Sequence, residues 1–328
     1  MKNGFLAKAA MAIIATALAG CMQKEDAPKK IVFDTDWWTD VDDACAIRLA
    51  RNLQDQGLIQ LAGVCLSALD STSIPSISAF LSEEGLGDIP VGVDKKSDCY
   101  PGSPSYRSTI LENCHAGRLT HADDCDDCVE FYRKLLSQAE GKTDIVAVGF
   151  PNTLARLLES GPDGISDLTG EELIKKKVGH LWMMAGKYPE GKEHNFCLNG
   201  YSRKSGAAVC ADWPTEITFL GFEVGIRVKA GGKLSEDDIL KKILNVHGSS
   251  QGRYAWDPLT LLLAASDKPE DIGFSTVTGS IVFDESDGSN SFSPSEDGKH
   301  RYVVMTREPQ FYADTLDLLF ATKEITDY

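Results

Sequence analysis

The sequence predicts an α/β fold: an open, mostly parallel sheet flanked by helices, with a small antiparallel hairpin near the C-terminus. Three observations carry that prediction. Short apolar runs alternate with helical patterns along the whole chain. No internal repeat or long low-complexity linker interrupts them after residue 30. The stretch beyond residue 30, roughly 300 residues, is long enough to bury a large core as one domain, 31–328.

In chain order, Ile31 to Phe33 is a compact apolar strand. Val41, Ala44, Cys45, Leu49 and Leu53 recur at helical spacing and mark a helix over 41–53. Strands follow at Leu61 to Leu66 and Ile89 to Val93, with a helical stretch around Ile77 to Leu81 between them. Asp144 to Val148 is a further strand, running straight into a helix through Leu154, Leu157 and Leu158. Leu181 to Met184 and Ile217 to Leu220 continue the strands, and Ile239 to Val246 and Leu259 to Ala265 are helical. Ile281 to Phe283 and Tyr302 to Met305, joined by a Gly/Ser/Asp-rich stretch, predict the hairpin.

The first residues read as an address. Lys2 and Lys8 precede an apolar run from Ala9 to Leu18 that ends in Leu18-Ala19-Gly20-Cys21. That order predicts a lipoprotein signal peptide, residues 1–20, with Cys21 acylated after cleavage. A transmembrane helix needs about 20 apolar residues, more than this run supplies. Residues 21–30 then form a polar tether, and the protein is expected on the outer side of a bacterial membrane, periplasmic or at the cell surface. Export also colours the cysteines. Cys99, Cys114, Cys125 and Cys128 fall in one loop-rich segment and could form two disulfides. A thiolate zinc site around Cys125-x-x-Cys128 is the alternative, and Cys197 with Cys210 is a further possible pair. Cys45 and Cys65 sit in apolar patterns as buried thiols. The net charge of −16 argues against a nucleic-acid polymer as partner, since phosphate backbones select Lys/Arg surfaces. A bound metal cation with a small neutral or cationic ligand fits better.

Asp34-Thr35-Asp36-Trp37-Trp38-Thr39-Asp40-Val41-Asp42-Asp43 puts five carboxylates in ten residues, where the first strand ends and the first helix begins. Ligands of open α/β sheets collect at the carboxyl ends of strands. One or two acids suffice to cap a helix. Five would repel one another unless a cation neutralised them, and hard oxygen ligands select Ca²⁺ or Mg²⁺. The spacing is not that of an EF-hand. A strand followed by Asp-x-Asp also suits a Mg²⁺-dependent phosphatase of the haloacid-dehalogenase type, with Asp34 as nucleophile and Asp36 as acid/base.

Asp34-Thr35-Asp36 followed by Asp42-Asp43-Ala44 resembles the amino-terminal signature of the inosine-uridine-preferring nucleoside hydrolases, with a loop two residues longer that carries Trp37-Trp38. Three later stretches are similar to that family in the same order. They are Val148-Gly149-Phe150-Pro151-Asn152-Thr153-Leu154-Ala155, Met184-Ala185-Gly186 with Glu193-His194-Asn195, and Gly252-Arg253-Tyr254-Ala255-Trp256-Asp257. The resemblance spans residues 31 to about 320. It implies a nucleoside-hydrolase-like fold and Ca²⁺-dependent cleavage of N-ribosidic bonds, with a nucleoside or related ribosyl compound as substrate and a homo-oligomeric assembly. It further implies Asp36, Asp43 and Asp257 as carboxylate ligands, Asn152 as a backbone-carbonyl ligand, and Asp36 as general base. Asp42, Glu193, Asn195 and Asp257 would hold the ribose. Trp256 stands where relatives carry a histidine that protonates the base; it can stack on a base but cannot deliver a proton. His194 is then the adjacent candidate acid, and Trp37, Trp38, Tyr188, Tyr201 and Tyr254 are candidates to stack on the base or hydrogen-bond to it. Ser67-Ala68-Leu69-Asp70 departs from the asparagine the family often has after its second strand. A different outcome is a non-catalytic Ca²⁺-loaded lipoprotein that binds sugars or nucleosides.

Overall fold

The computed structural model describes residues 27–97, 104–266 and 268–321. The signal peptide, Cys21 and Cys99 lie outside the described residues. Among those described, no helix is long and apolar enough to cross a membrane.

Thirteen strands are formed among the described residues. They are β1 (Lys29–Thr35), β2 (Ile59–Leu66), β3 (Val91–Val93), β4 (Asp126–Asp127), β5 (Thr143–Ala147), β6 (Val178–Met184) and β7 (Glu190–Lys192). After them come β8 (Ile217–Leu220), β9 (Lys229–Ala230), β10 (Arg253–Tyr254), β11 (Phe274–Asp284), β12 (Ser289–Pro294) and β13 (His300–Met305). Eleven join one sheet in the order β4-β3-β2-β1-β5-β6-β8-β13-β11-β12-β7, while β9 and β10 pair separately. From β4 to β13 all neighbours are parallel; β11, β12 and β7 add an antiparallel margin.

The helices cover both faces of the sheet. In order they are α1 (Asp42–Asp55), α2 (Ser73–Glu83), α3 (Ser105–Asn113), α4 (Cys128–Gln138), α5 (Asn152–Leu158) and α6 (Gly170–Lys177). The remaining six are α7 (His194–Cys197), α8 (Gly200–Asp212), α9 (Phe222–Gly225), α10 (Ile239–Val246), α11 (Trp256–Ala265) and α12 (Pro309–Ala321). Side chains of β1 alternate between the two cores: Ile31 and Phe33 join one apolar cluster, Val32 the other.

The position of β1 decides where a ligand can sit. The chain leaves it to build β2, β3 and β4 on one side, then crosses to build β5, β6 and β8 on the other. The crevice between the carboxyl ends of β1 and β5 is therefore a topological switch point. Gly149 lets the two chain ends close there, because a Cβ at this position would lie 2.3 Å from the Asp36 nitrogen.

The two parts of the sequence reading that differ are the C-terminal hairpin and the disulfides. Ile281 to Phe283 does not pair with Tyr302 to Met305. Strand β11 is eleven residues long; its first half pairs β13, and its second half pairs β12. Strand β12 arises from the Gly/Ser/Asp-rich stretch that the sequence marks as a connection, and the unit is a three-stranded meander. Cys45, Cys65, Cys114, Cys125, Cys128, Cys197 and Cys210 all carry free thiols. Cys125 and Cys128 cannot be read as a loop pair, since Cys128 opens α4 and is packed with Cys65 in one core while Cys125 belongs to the other.

The loop between β1 and α1 is held by Trp37. Its backbone sits in the left-handed region, φ 46°, which a bulky residue adopts only when its surroundings enforce it. The indole is fully buried, donates to the Ser76 hydroxyl at 2.9 Å, and packs on Phe80 and Tyr106 at 5.6 and 5.9 Å. Its backbone N–H reaches the Thr35 hydroxyl at 3.0 Å and the Asp43 carboxylate at 3.3 Å. Trp37 is thus a structural anchor with no face free for a ligand. Trp37→Ala is expected to lower stability by about 3–5 kcal/mol, the usual cost of emptying a buried aromatic site. Urea unfolding of the variant checks this, and a loss below about 1 kcal/mol would contradict the anchoring role.

Candidate active site

Helices α1 and α11 pack against one another so that their N-terminal ends meet at the crevice. Asp42 and Asp43 occupy the first turn of α1, and Asp257 the first turn of α11. Carboxylates favour that position because unpaired N–H groups and the helix dipole face them. The Asp257 backbone N–H donates to Asp42 Oδ2 at 3.1 Å, which fixes the two turns in register. Asp257 is not the cap of α11: that place belongs to Ala255, and the Asp257 side chain faces α1 instead. One oxygen from each of Asp42, Asp43 and Asp257 lies within 4.8 Å of the others, and all three side chains are buried.

These acids line a cavity of about 240 Å³, the scale of a small molecule. Asp36 and Asp40 complete its acidic floor, and Val148 and Met184 come from the ends of β5 and β6. Glu193, His194 and Asn195 form one wall, Phe222, Arg253 and Trp256 the other. Of the side chains singled out from the sequence, Asp36, Asp42, Asp43, Glu193, Asn195, Trp256 and Asp257 therefore meet around one space. Asn152 does not line it. Its amide donates to the Ser67 carbonyl at 2.9 Å and to Asp94 at 2.6 Å, on the side of β3.

Burial dominates the electrostatics, and the crowding of like charges adds to it. Burial, followed by the charge of Asp43, pushes the Asp36 carboxyl well above its ordinary value. Burial and then the charge of Asp40 do the same to Asp42, and burial and Asp42 do so to Asp257. Burial carries Asp43 up to about 6 against a hydrogen bond from Thr35. Asp40 is the exception. Burial opposes its ionisation, but the Arg253 guanidinium, forked onto both its oxygens with Nε at 2.7 Å, holds it below the usual carboxylate range. Three buried, mutually facing carboxylates with no matching side-chain cation are a donor set that a hard divalent ion fits.

Glu193 caps α7: its oxygens accept from the backbone N–H of Asn195 at 2.8 Å and of Gly186 at 3.0 Å, and burial raises it to about 7. Asn195 donates its amide to the carbonyls of Val148 and Met184 at 2.8 and 3.0 Å, tying the ends of β5 and β6 to the cavity wall. Trp256 spends its indole N–H on the Phe222 carbonyl at 2.9 Å.

Other candidates lie elsewhere. Asp34 does not line the cavity; buried, it accepts from Tyr132 at 2.6 Å and Thr153 at 2.7 Å. A phosphatase nucleophile needs access to its substrate, so the Asp34-Asp36 reading loses its first member. Asp70 is engaged by Arg107 and caps Thr72 in the turn before α2. Tyr188 is stacked on Tyr302 in the core, and Tyr201 donates to Asp94. Arg253 and Phe222 were given no role by sequence reasoning. Arg253 lies inside a motif noted for Tyr254, Trp256 and Asp257, and Phe222 follows β8 with no chemical signature of its own.

No protein-family model and no curated protein matches the chain. Solved structures do. The inosine-uridine preferring nucleoside hydrolase from Bacillus anthracis superposes with a TM-score of 0.62 at 17% identity, over 89% of this chain and 99% of that one. A plant nucleoside hydrolase gives 0.69 at 17%, over 90% and 99%. The type III effector protein XopQ, solved with adenosine diphosphate ribose, gives 0.67 at 14%, over 95% and 98%. The architecture is therefore the nucleoside-hydrolase fold.

Because a cation and protons compete for the same carboxylates, the gain in Tm on adding Ca²⁺ to chelator-treated protein should grow with pH. Asp43, raised to about 6, is mostly protonated at pH 5 and mostly ionised at pH 8, while burial and facing carboxylates hold Asp42 and Asp257 above their ordinary values, so fewer protons compete with the ion as pH rises. Thermal melts at pH 5 and 8 test this, and an equal or smaller gain at pH 8 would count against a metal site here.

Proposed function

We propose that the protein hydrolyses the N-glycosidic bond of ribonucleosides or related N-ribosyl compounds, giving ribose and a free base, with Ca²⁺ in its acidic cavity. One observation carries this reading: the carboxylates of Asp42, Asp43 and Asp257 converge from two helix N-termini on a cavity of nucleoside scale, at the switch point of a nucleoside-hydrolase fold. An all-oxygen donor set favours Ca²⁺ over softer ions. Asp36, Asp43 and Asp257 would hold it by carboxylate, with Asp42 within reach of the same spot; Asn152, which the resemblance makes a backbone ligand, lies outside the lining of this cavity. When bound, the ion would supply Lewis-acid polarisation and a fixed anchor for hydroxyl oxygens.

The chain's own residues supply the rest. Asp36, raised by burial and then by the charge of Asp43, takes the proton of the attacking water as general base. Asp42, Glu193, Asn195 and Asp257 hold the ribose hydroxyls, and Trp256 offers its ring to the base. The concentration of negative charge stabilises the oxocarbenium-like sugar that develops as the bond to nitrogen lengthens. Residues 1–20 as signal peptide and Cys21 as lipid anchor would set this chemistry outside the cytoplasm, where it would serve nucleoside salvage. Residues 21–30 would be the tether to the catalytic domain, and the family's habit suggests a homo-oligomer.

The test is a substrate panel: nucleosides, ADP-ribose because a structural neighbour was solved with it, and phosphate esters, with free ribose and free phosphate both measured. Ribose release is expected, abolished by chelator and lowered by about 10²–10⁴ in kcat in Asp36→Ala. Tight binding without turnover would favour a binding lipoprotein; phosphate release would favour the phosphatase chemistry and overturn the proposal.

A further inference from the structure

The departing base sets a demand that this cavity meets in an unusual way. When the bond from C1′ to a neutral base breaks, the electron pair stays on the base, which must be protonated or leave as an anion. Among the described residues that line the cavity, the floor carboxylates are those a bound cation would keep ionised, and the polar groups of the walls are turned to other partners. The Trp256 N–H is given to the Phe222 carbonyl, and an indole transfers no proton. Glu193 is turned toward backbone N–H groups as an acceptor. The Arg253 guanidinium is forked onto Asp40 and stays protonated. His194 has its ring against Trp38, centroids 6.3 Å apart, and desolvation there pushes its pKa below the ordinary value, which disfavours the imidazolium.

An anionic leaving group fares no better. Six carboxylates line the cavity against one guanidinium, and that cation is matched by Asp40. A bound divalent ion would still leave negative charge in excess. Beside the acids stands an aromatic wall, Trp256 stacked on the exposed ring of Phe222 at 5.6 Å and 28°. Surplus negative charge next to a π face is an environment that attracts organic cations.

We infer that the preferred substrate carries a permanently cationic base, an N-riboside of the pyridinium or N-alkylated purinium class, seated against Trp256 and Phe222. The inference rests on the reading of the site as an N-ribosyl hydrolase and narrows it. The step balances without an acid. Water oxygen bonds to C1′ and its proton passes to Asp36; the C1′–N bond breaks, its electron pair cancels the positive charge on the ring nitrogen, and the base leaves neutral. Arg253 also lies over the Trp256 ring, at 5.5 Å, but with its charge met by Asp40 it does not oppose the arriving cation.

Two measurements on the full-length, Ca²⁺-supplemented protein test this. In titration calorimetry, the cation 1-methylnicotinamide is expected to bind at least tenfold more tightly than neutral nicotinamide. In turnover, nicotinamide riboside and 7-methylguanosine are expected to exceed inosine and guanosine in kcat/KM by at least 100-fold. The part due to the missing acid is isolated by Trp256→His, which should cut the ratio of 7-methylguanosine to guanosine at least tenfold. Equal binding of the two nicotinamides, or neutral nucleosides cleaved as well as the cationic ones, overturns the inference and leaves the hydrolase reading standing. Ribose from none of the four substrates overturns the hydrolase reading itself.

Discussion

The approach of Asp42, Asp43 and Asp257 to one another is the constraint on which the remainder of the structure turns. Bringing like charges together inside a protein is unfavourable, and a chain does so only where the scaffold leaves no alternative or where something of opposite charge belongs between them. Here the scaffold enforces it. Helices α1 and α11 pack side by side, their first turns meet, and the Asp257 N–H closes onto Asp42. Both helices direct their positive dipole ends at the same point, which offsets part of the repulsion. The rest is what a cation bound between them would offset.

The same logic explains why the neighbouring acids differ in fate. Asp40 has a guanidinium and is an ordinary ion pair; Asp34 has Tyr132 and Thr153 and is part of the core. Sequence proximity lumps them with Asp36, Asp42 and Asp43, yet only three-dimensional partners separate a structural carboxylate from one able to meet a ligand. Glu193 shows the converse. It stands in a polar stretch of the sequence, far from the acidic loop, yet it is buried, caps a short helix and carries a raised pKa.

Much of the fold was legible because its signals are local. The apolar runs at Leu61, Asp144, Leu181 and Ile217 each lie within strands of the one sheet, and α10 spans Ile239–Val246 as its periodicity predicts. What escaped depends on distant partners. Strand β12 is polar and Ser-rich, with little propensity of its own; it is a strand because β11 on one side and β7 on the other supply its hydrogen bonds. The cysteine reading held for Cys45 and Cys65, which are buried thiols as expected, but Cys128 and Cys210, offered as possible bridge partners, are likewise free and buried as small apolar groups. At the site, the carboxylates announced themselves by clustering. Arg253 and Phe222 did not, since their contribution comes from where β10 and β8 deliver them.

Trp37 has a consequence for traffic into the cavity. An extended loop beside an active centre is often a flap that swings to admit and then enclose its ligand. This one is bolted at both ends, by an indole sunk among Ser76, Phe80 and Tyr106 and by the clasp of Asp40 on Arg253. It behaves as masonry rather than as a door. Trp38, the next residue in this loop, is only half-buried and stacks its ring on the exposed His194 beside the cavity, so the loop is rigid through Trp37 while its neighbour remains open to solvent.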